Sequence, residues 1–133
     1  MAFFADADEV YKYLGGVFIA SKETEVGPKL ATADLDLQIY YADPASQMTI
    51  SMRGENIDVA LGAENDDAEV KLYMPADLAD KYWRGEYNLA VGLAKGHVKA
   101  KGPVNKILKL VPLTKPLFPI YRGLIAEKDA VPV

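Results

Sequence analysis

Between Leu35 and Met74 the hydrophobic period of the chain is two. Leu35, Leu37, Ile39 and Tyr41 alternate with Asp36, Gln38 and Tyr40, and Met48, Ile50 and Met52 alternate with Thr49, Ser51 and Arg53. Successive side chains of a strand point to opposite faces, so each run predicts a strand with one buried and one wet face. Ile57, Val59 and Leu61, then Val70, Leu72 and Met74, repeat the pattern. Turn residues separate the runs: Asp43-Pro44, Gly54-Glu55-Asn56 and the acidic Glu64-Asn65-Asp66-Asp67. Short connections favour antiparallel pairing, and four strands in meander order are the simplest arrangement. The apolar face of such a sheet has to be covered.

The flanking segments supply the cover, because there the period is helical. Asp6 with Glu9 forms a capping pattern, followed by Val10, Tyr13, Leu14, Val17 and Phe18 at helical spacing, which predicts a helix over residues 6–22. Gly15-Gly16 inside it costs ~1 kcal/mol per glycine relative to alanine and points to close packing against another element. Gly27-Pro28 reads as a polar turn. After the strands, Pro75 opens a helix that ends at Gly85, Asn88 caps a short helix that stops at Lys95-Gly96, and Val98 with Ala100 marks a short fifth strand. Gly102-Pro103 opens a further helix with Val104, Ile107, Leu108 and Val111 on one stripe, and Pro112 is expected to stop it. At 133 residues the chain is expected to be a single domain over 1–133, with 129–133 as a disordered tail. The class is α+β, with the helices gathered on one sheet face.

Charge is unevenly spread. Residues 1–80 hold 5 basic and 16 acidic side chains, whereas residues 81–133 hold 10 basic and 3 acidic ones. From Lys95 to Arg122 there are seven basic residues and no acid. Lys99, Lys101, Lys106, Lys109, Lys115 and Arg122 are therefore candidates for contact with an anionic head group or membrane surface. Nucleic acid is a poor fit, since the lysines alternate with aliphatic residues and prolines, and the sequence pI is about 5.0.

Catalytic chemistry is thin. The chain has no cysteine and one histidine, His97, which excludes thiolate catalysis and multi-histidine metal sites. No nucleophile elbow, phosphate loop or dinucleotide fingerprint is present. The sequence predicts no enzyme, no cofactor and no metal. The amino-terminal residues lack a secretory signal's basic flank and apolar run, so a cytoplasmic location is expected.

Apolar residues are in excess. Val104 to Ile125 holds twelve large apolar or aromatic residues, more than one buried stripe needs. The segment must be buried on two sides, line a cavity, or meet a membrane or partner. Met48, Met52 and Met74 add adaptable inward surface. Two functions use these residues: binding of an apolar ligand, or docking of the carboxy-terminal helices on a lipid-metabolising enzyme or a second copy of the chain. An enzyme using a cavity as its active site is a third, without a visible catalytic pair. An internal dry cavity of several hundred Å³ favours the ligand, and a filled core favours docking.

The run Met74-Pro75-Ala76-Asp77-Leu78-Ala79-Asp80-Lys81-Tyr82-Trp83-Arg84-Gly85, with Asn88-Leu89-Ala90-Val91-Gly92-Leu93-Ala94-Lys95-Gly96 and His97-Val98-Lys99-Ala100-Lys101-Gly102-Pro103, resembles the sterol carrier protein 2 family, most of all its small stand-alone bacterial members. The resemblance implies a five-stranded, mostly antiparallel sheet whose helices enclose an apolar tunnel for fatty acid, fatty acyl-CoA, phospholipid or sterol, without catalysis by the domain. It implies a tunnel lined by Met48, Ile50, Val59, Val70, Leu72, Trp83, Leu89, Leu93, Leu108, Leu117 and Phe118. Leu72, Leu93 and Leu108 are expected to face the sheet–helix interior.

Overall fold

The computed structural model describes residues 2–130. Strands β1 (Leu35–Ala42), β2 (Ser46–Arg53), β3 (Asn56–Leu61), β4 (Val70–Pro75) and β5 (Lys99–Lys101) form one sheet in the order β3-β2-β1-β4-β5. Leu37 pairs with Ile50 and Ile39 with Met48 across the antiparallel β1–β2 ladder. The β2–β3 and β4–β5 ladders are also antiparallel, whereas β1 and β4 run parallel, with Ile39 beside Leu72. The sheet is thus mixed but mostly antiparallel, and the class is α+β.

The meander order expected for the first four strands is overturned. β4 lies next to β1, not next to β3. Alternation reports which face a side chain takes but not which strand is its neighbour, and an eight-residue connection can reach roughly 26 Å when extended. Residues 62–69 use that reach to run back along the open face of the sheet. Gly62 N–H donates to Gln47 O at 2.8 Å near one end, and Glu69 meets Arg53 at 2.8 Å at the other. Between them, Gln38 Nε2 donates to Ala63 O at 3.0 Å, and Gln38 Oε1 accepts from Thr49 Oγ1 at 2.5 Å and from Asn65 N–H at 2.8 Å. Gln38, fully buried although it points away from the helices, pins the crossover.

The opposite face carries the helices. Ala7–Val10, Tyr11–Gly15 and Gly16–Ser21 run on as one helix, α1, whose middle turn is π-helical. The Asp6 side chain caps it by accepting from Glu9 N–H at 3.0 Å. The close packing expected at Gly15 is present: a Cβ there would meet Leu61 Cδ2 of β3 at 2.5 Å.

Gly27-Pro28 is not a turn but part of α2 (Val26–Ala31). Pro28 falls in the first helical turn, where its missing N–H has no intrahelical partner to lose. Then follow α3 (Ala76–Trp83), α4 (Leu89–Lys95), α5 (Val104–Thr114), a 3-10 turn at Lys115–Leu117 and α6 (Phe118–Asp129). Pro112 does not stop α5 but lies inside it. Its absent N–H removes one helical bond, to the Leu108 carbonyl, in the last turn only.

α2 packs on β2, β3 and α5, while α6 packs on α1 and α3. The apolar excess of residues 104–125 is largely spent on this two-sided packing, with Ile107 and Leu110 turned to the sheet side and Leu117, Tyr121 and Ile125 in the core. Asp129, expected in a disordered tail, ends α6 and is held by Arg84 at 2.9 Å, and Ala130 after it donates its N–H to Ala126 O at 2.9 Å; residues 131–133 of that expected tail lie outside the described residues.

Candidate functional site

An apolar cavity of about 70 Å³ lies between the sheet and the helices. Its floor is Leu37, Ile39 and Tyr41 of β1, Met52 of β2, and Leu72 and Met74 of β4. These positions share one face because β1 and β4 run side by side in register, so the crossover that sets their order also builds the floor. The walls and roof come from Phe18 of α1, Leu30 of α2, Ala79, Tyr82 and Trp83 of α3, Leu89 of α4, and Ile107, Leu110, Val111 and Thr114 of α5.

Polar groups in the lining are few. Thr114 Oγ1 donates to Val111 O at 2.7 Å, so in its 2.6 Å contact with Tyr82 the phenol is the donor. Burial pushes the Tyr82 hydroxyl above its ordinary pKa, and burial alone does the same to Tyr41. Both phenols stay neutral, and no ionised group stands in the lining. Chemically the space suits a hydrocarbon, with one hydroxyl pair for a weakly polar group.

Its size departs from the several hundred Å³ that favours a ligand. The side chains that narrow it are mobile in kind: Met52 and Met74 each have three rotatable side-chain bonds. Trp83 closes one wall, edge-on to Phe18 at 5.2 Å and to Phe118 at 6.1 Å.

Of the tunnel residues expected from sequence, Leu72, Trp83 and Leu89 meet at the cavity. Met48, Ile50, Val70 and Leu117 are fully buried but do not line it: Met48 and Ile50 lie on β2 across from Ile39 and Leu37, Val70 opens β4, and Leu117 ends the 3-10 turn before α6. Val59 is half-buried on β3. Leu93 lines a second, open cleft with Tyr73, Val98 and Val104, and Phe118 lines a third with Tyr82 and Tyr87. Leu108 is a correction: it is 39% exposed. The buried stripe of α5 is Ile107, Leu110, Val111 and Thr114, about 100° round the helix from the face that Leu108 takes.

The candidate cations are dispersed. Lys99 and Lys101 border the second cleft, where Lys101 Nζ stands 5.6 Å over the Tyr73 ring; Lys115 borders the third. Lys106 and Lys109 are exposed on α5, and Arg122 Nη1 donates to Arg84 O at 3.0 Å. The tunnel expected from sequence left out the other lining residues, among them Tyr41, Ala79, Tyr82 and Thr114. The alternation of β1 marked Tyr41 as inward, and the i, i+3 spacing of Ala79 and Tyr82 placed both on one helix face.

Among the described residues, no cluster of three or more His, Asp or Glu side chains is placed to hold a metal ion, and no helix is long and apolar enough to cross a membrane.

No protein-family model and no curated protein sequence matches the chain. Solved structures do. The apo form of Sterol Carrier Protein 2 from Yarrowia lipolytica is similar with a TM-score of 0.62 and 16% identity, over 85% of this chain and 97% of that one. The sterol carrier protein domain 2 of Helicoverpa armigera is similar with a TM-score of 0.65 and 15% identity, over 83% of this chain and 88% of that one. The sec-alkylsulfatase Pisa1 from Pseudomonas sp. is similar with a TM-score of 0.58 and 20% identity over 65% of this chain, which spans only 14% of that enzyme. At these identities the likeness is one of architecture, carried by strand order and helix placement over most of the chain. The chain has the sterol carrier protein 2 fold.

Proposed function

We propose that the protein binds a lipid by its hydrocarbon chain in the cavity between the sheet and α3–α5, and carries it without chemical change. The observation that carries this reading is the lining, which is apolar apart from neutral hydroxyls and sits at the centre of the fold rather than on its surface. Burial of an acyl chain releases ~0.8 kcal/mol per methylene, less the cost of ordering chain and protein, so a long chain supplies enough free energy to widen a small cavity. Fatty acid and fatty acyl-CoA are favoured over sterol, because a flexible chain can thread between Met52 and Met74 whereas a rigid ring system needs its full width at once. The sterol carrier names of the structural neighbours agree with a lipid ligand.

A cytoplasmic carrier must collect its cargo from a surface. Leu108, flanked by Lys106 and Lys109 on the exposed side of α5, offers an apolar contact between cations for an anionic membrane. Docking of the carboxy-terminal helices on an enzyme or a second copy has weaker support. Leu108 is the one large apolar residue of 104–125 among the exposed large hydrophobics.

Native mass spectrometry tests the carrier reading. Protein purified from cells and gently desolvated should show masses above 14.5 kDa that fall to the bare chain on activation, and a fluorescent fatty acid should bind at micromolar concentration. Bare protein together with no fatty-acid binding overturns it.

A further inference from the structure

The cavity is narrow, about 70 Å³, and a carrier has to widen it somewhere to admit a chain. Resting on the lipid-carrier reading, we propose that the doorway is the cleft between the 84–88 loop and the end of α5, and that it holds the anionic head of a single-chain amphiphile beside Lys115.

Two clefts adjoin the helices. The one bordered by β5 and Leu93 is the larger, about 680 Å³, but shares no lining residue with the cavity. The cleft formed by Gly85, Glu86, Tyr87, Asn88, Lys115 and Phe118 measures about 440 Å³ and shares Tyr82, Leu89 and Val111 with it. Those three side chains are the partition between cleft and cavity. They come from three helices, α3, α4 and α5, so a small separation of α4 from α5 joins the two spaces. An acyl chain then has the cavity for its tail and the cleft for the rest.

A second observation marks the same place. The Tyr87 hydroxyl is buried without a hydrogen-bond partner, pressed over Gly92 of α4. A buried donor without an acceptor costs free energy that is recovered once the ring turns outward. The closed doorway is therefore held shut by a side chain with a reason to leave.

The chemistry of the rim selects the head group. The cavity offers no charge to a carboxylate, so the head must stop at the cleft, where Lys115 is the lining cation, Asn88 a neutral neighbour and Glu86 the one carboxylate. Lys115 also continues the acid-free basic run from Lys95 to Arg122. Glu86 opposes a second negative charge, which favours a singly charged carboxylate over a phosphate and so, of the two ligands named above, the fatty acid over fatty acyl-CoA.

The chain has no cysteine, so Glu86→Cys with Lys115→Cys can be bridged across the cleft by a reducible thiol-specific cross-linker. Both positions are exposed. Exchange of a fluorescent long-chain fatty acid should slow by at least about tenfold in the bridged protein and recover on reduction. Separately, Lys115→Ala should weaken binding of the fatty acid but leave the fatty alcohol of the same length unchanged. A bridged protein that exchanges as fast as the unbridged one overturns the doorway. Equal losses for acid and alcohol, or no loss for either, overturn the head-group assignment. If the unbridged double variant and the parent chain bind no fatty acid at all, the carrier reading itself falls.

Discussion

Tyr121 donates its hydroxyl to Asp80 Oδ1 at 2.7 Å, beneath an Arg84 whose Nε meets both oxygens of the same carboxylate at 3.0 and 2.9 Å. Arg84 in turn grips Asp129 through both terminal nitrogens, at 2.9 and 3.1 Å, so one carboxylate ties the roof of the cavity to both ends of α6. Burial, then the bond to the Asp80 carboxylate, raises the Tyr121 pKa above its ordinary value. Asp80→Ala strands a buried phenol and leaves a half-buried Arg84 held by Asp129 alone, and should cost about 2–3 kcal/mol. Tyr121→Phe leaves the ion pair intact and should cost about 1 kcal/mol. Urea denaturation separates them, and the reverse order would show that the pair is not what holds α6 down.

Gln38 is the corresponding pin on the other face. Gln38→Leu should destabilise by about 1–3 kcal/mol, because the half-buried Asn65 N–H loses its acceptor and the Ala63 carbonyl and Thr49 hydroxyl keep only their 3.4 Å bond to each other. The crossover should then become the first site of proteolysis, near the Glu64–Asp67 stretch. Unchanged protease resistance would mean that the Gly62–Gln47 and Arg53–Glu69 contacts at its two ends anchor the segment without Gln38.

How much of this was legible depends on what a residue pattern reports. The period-two runs from Leu35 to Met74 marked strands and their apolar faces, and Asn88 and Gly96 marked the ends of α4, because those signals are local. Gln38 was also visible, but only as an outward polar residue: its burial comes from a loop that passes over it, and nothing near it in sequence says so. The strand order had the same defect, since Glu64–Asp67 reads as a solvated turn whether the chain goes to the next strand or crosses two. The cavity stood between these cases. Leu72, Trp83 and Leu89 were named from family likeness, while the phase of α5 was misread because Val104, Ile107, Leu108 and Val111 fit an i, i+3, i+4, i+7 stripe as well as the buried one does, and its end was misread at Pro112, which sits in the last turn of a helix that continues past it.

That phase gives a direct comparison on one helix. Leu108→Lys, at a position 39% exposed, should change stability by no more than about 0.5 kcal/mol and leave binding intact, whereas Leu110→Lys, at 9%, should unfold the protein or abolish binding. Melting curves with a fatty-acid titration decide it. Similar damage from both would place Leu108 inside.

Acid should loosen the same end of the molecule. Glu9 accepts from the Ala5 N–H and from Lys128, Glu127 is held by Lys12, and Asp129 by Arg84, and each carboxyl titrates below its ordinary value. A depressed folded-state pKa stabilises above the unfolded value and loses that contribution as pH falls through the folded one. The three contributions should therefore be complete above about pH 4.5, the ordinary value for the two glutamates, and fade below it. Glu9→Gln with Asp129→Asn should flatten the stability–pH curve in that acid range without moving it at neutral pH by more than the loss of one half-buried and one more exposed ion pair. A curve as steep as the parent's would assign the acid sensitivity elsewhere.

The cavity can be filled without touching the doorway. Ala79 points into it from α3 and is 2% exposed, and at about 70 Å³ the space has room for a little more side chain. Ala79→Leu adds three carbons to a void that already lacks contacts, so melting should stay level or rise, in contrast to the loss expected from overpacking a filled core. The same carbons occupy the space that an acyl chain needs. Binding of a fluorescent fatty acid should therefore fall at least about tenfold while stability holds, the two quantities moving apart because one depends on filling the void and the other on finding it empty. A variant that melts like the parent and still binds with parental affinity would mean that the chain lies elsewhere, and the second cleft, with Leu93 and Val104 on its walls, would be the next place to look.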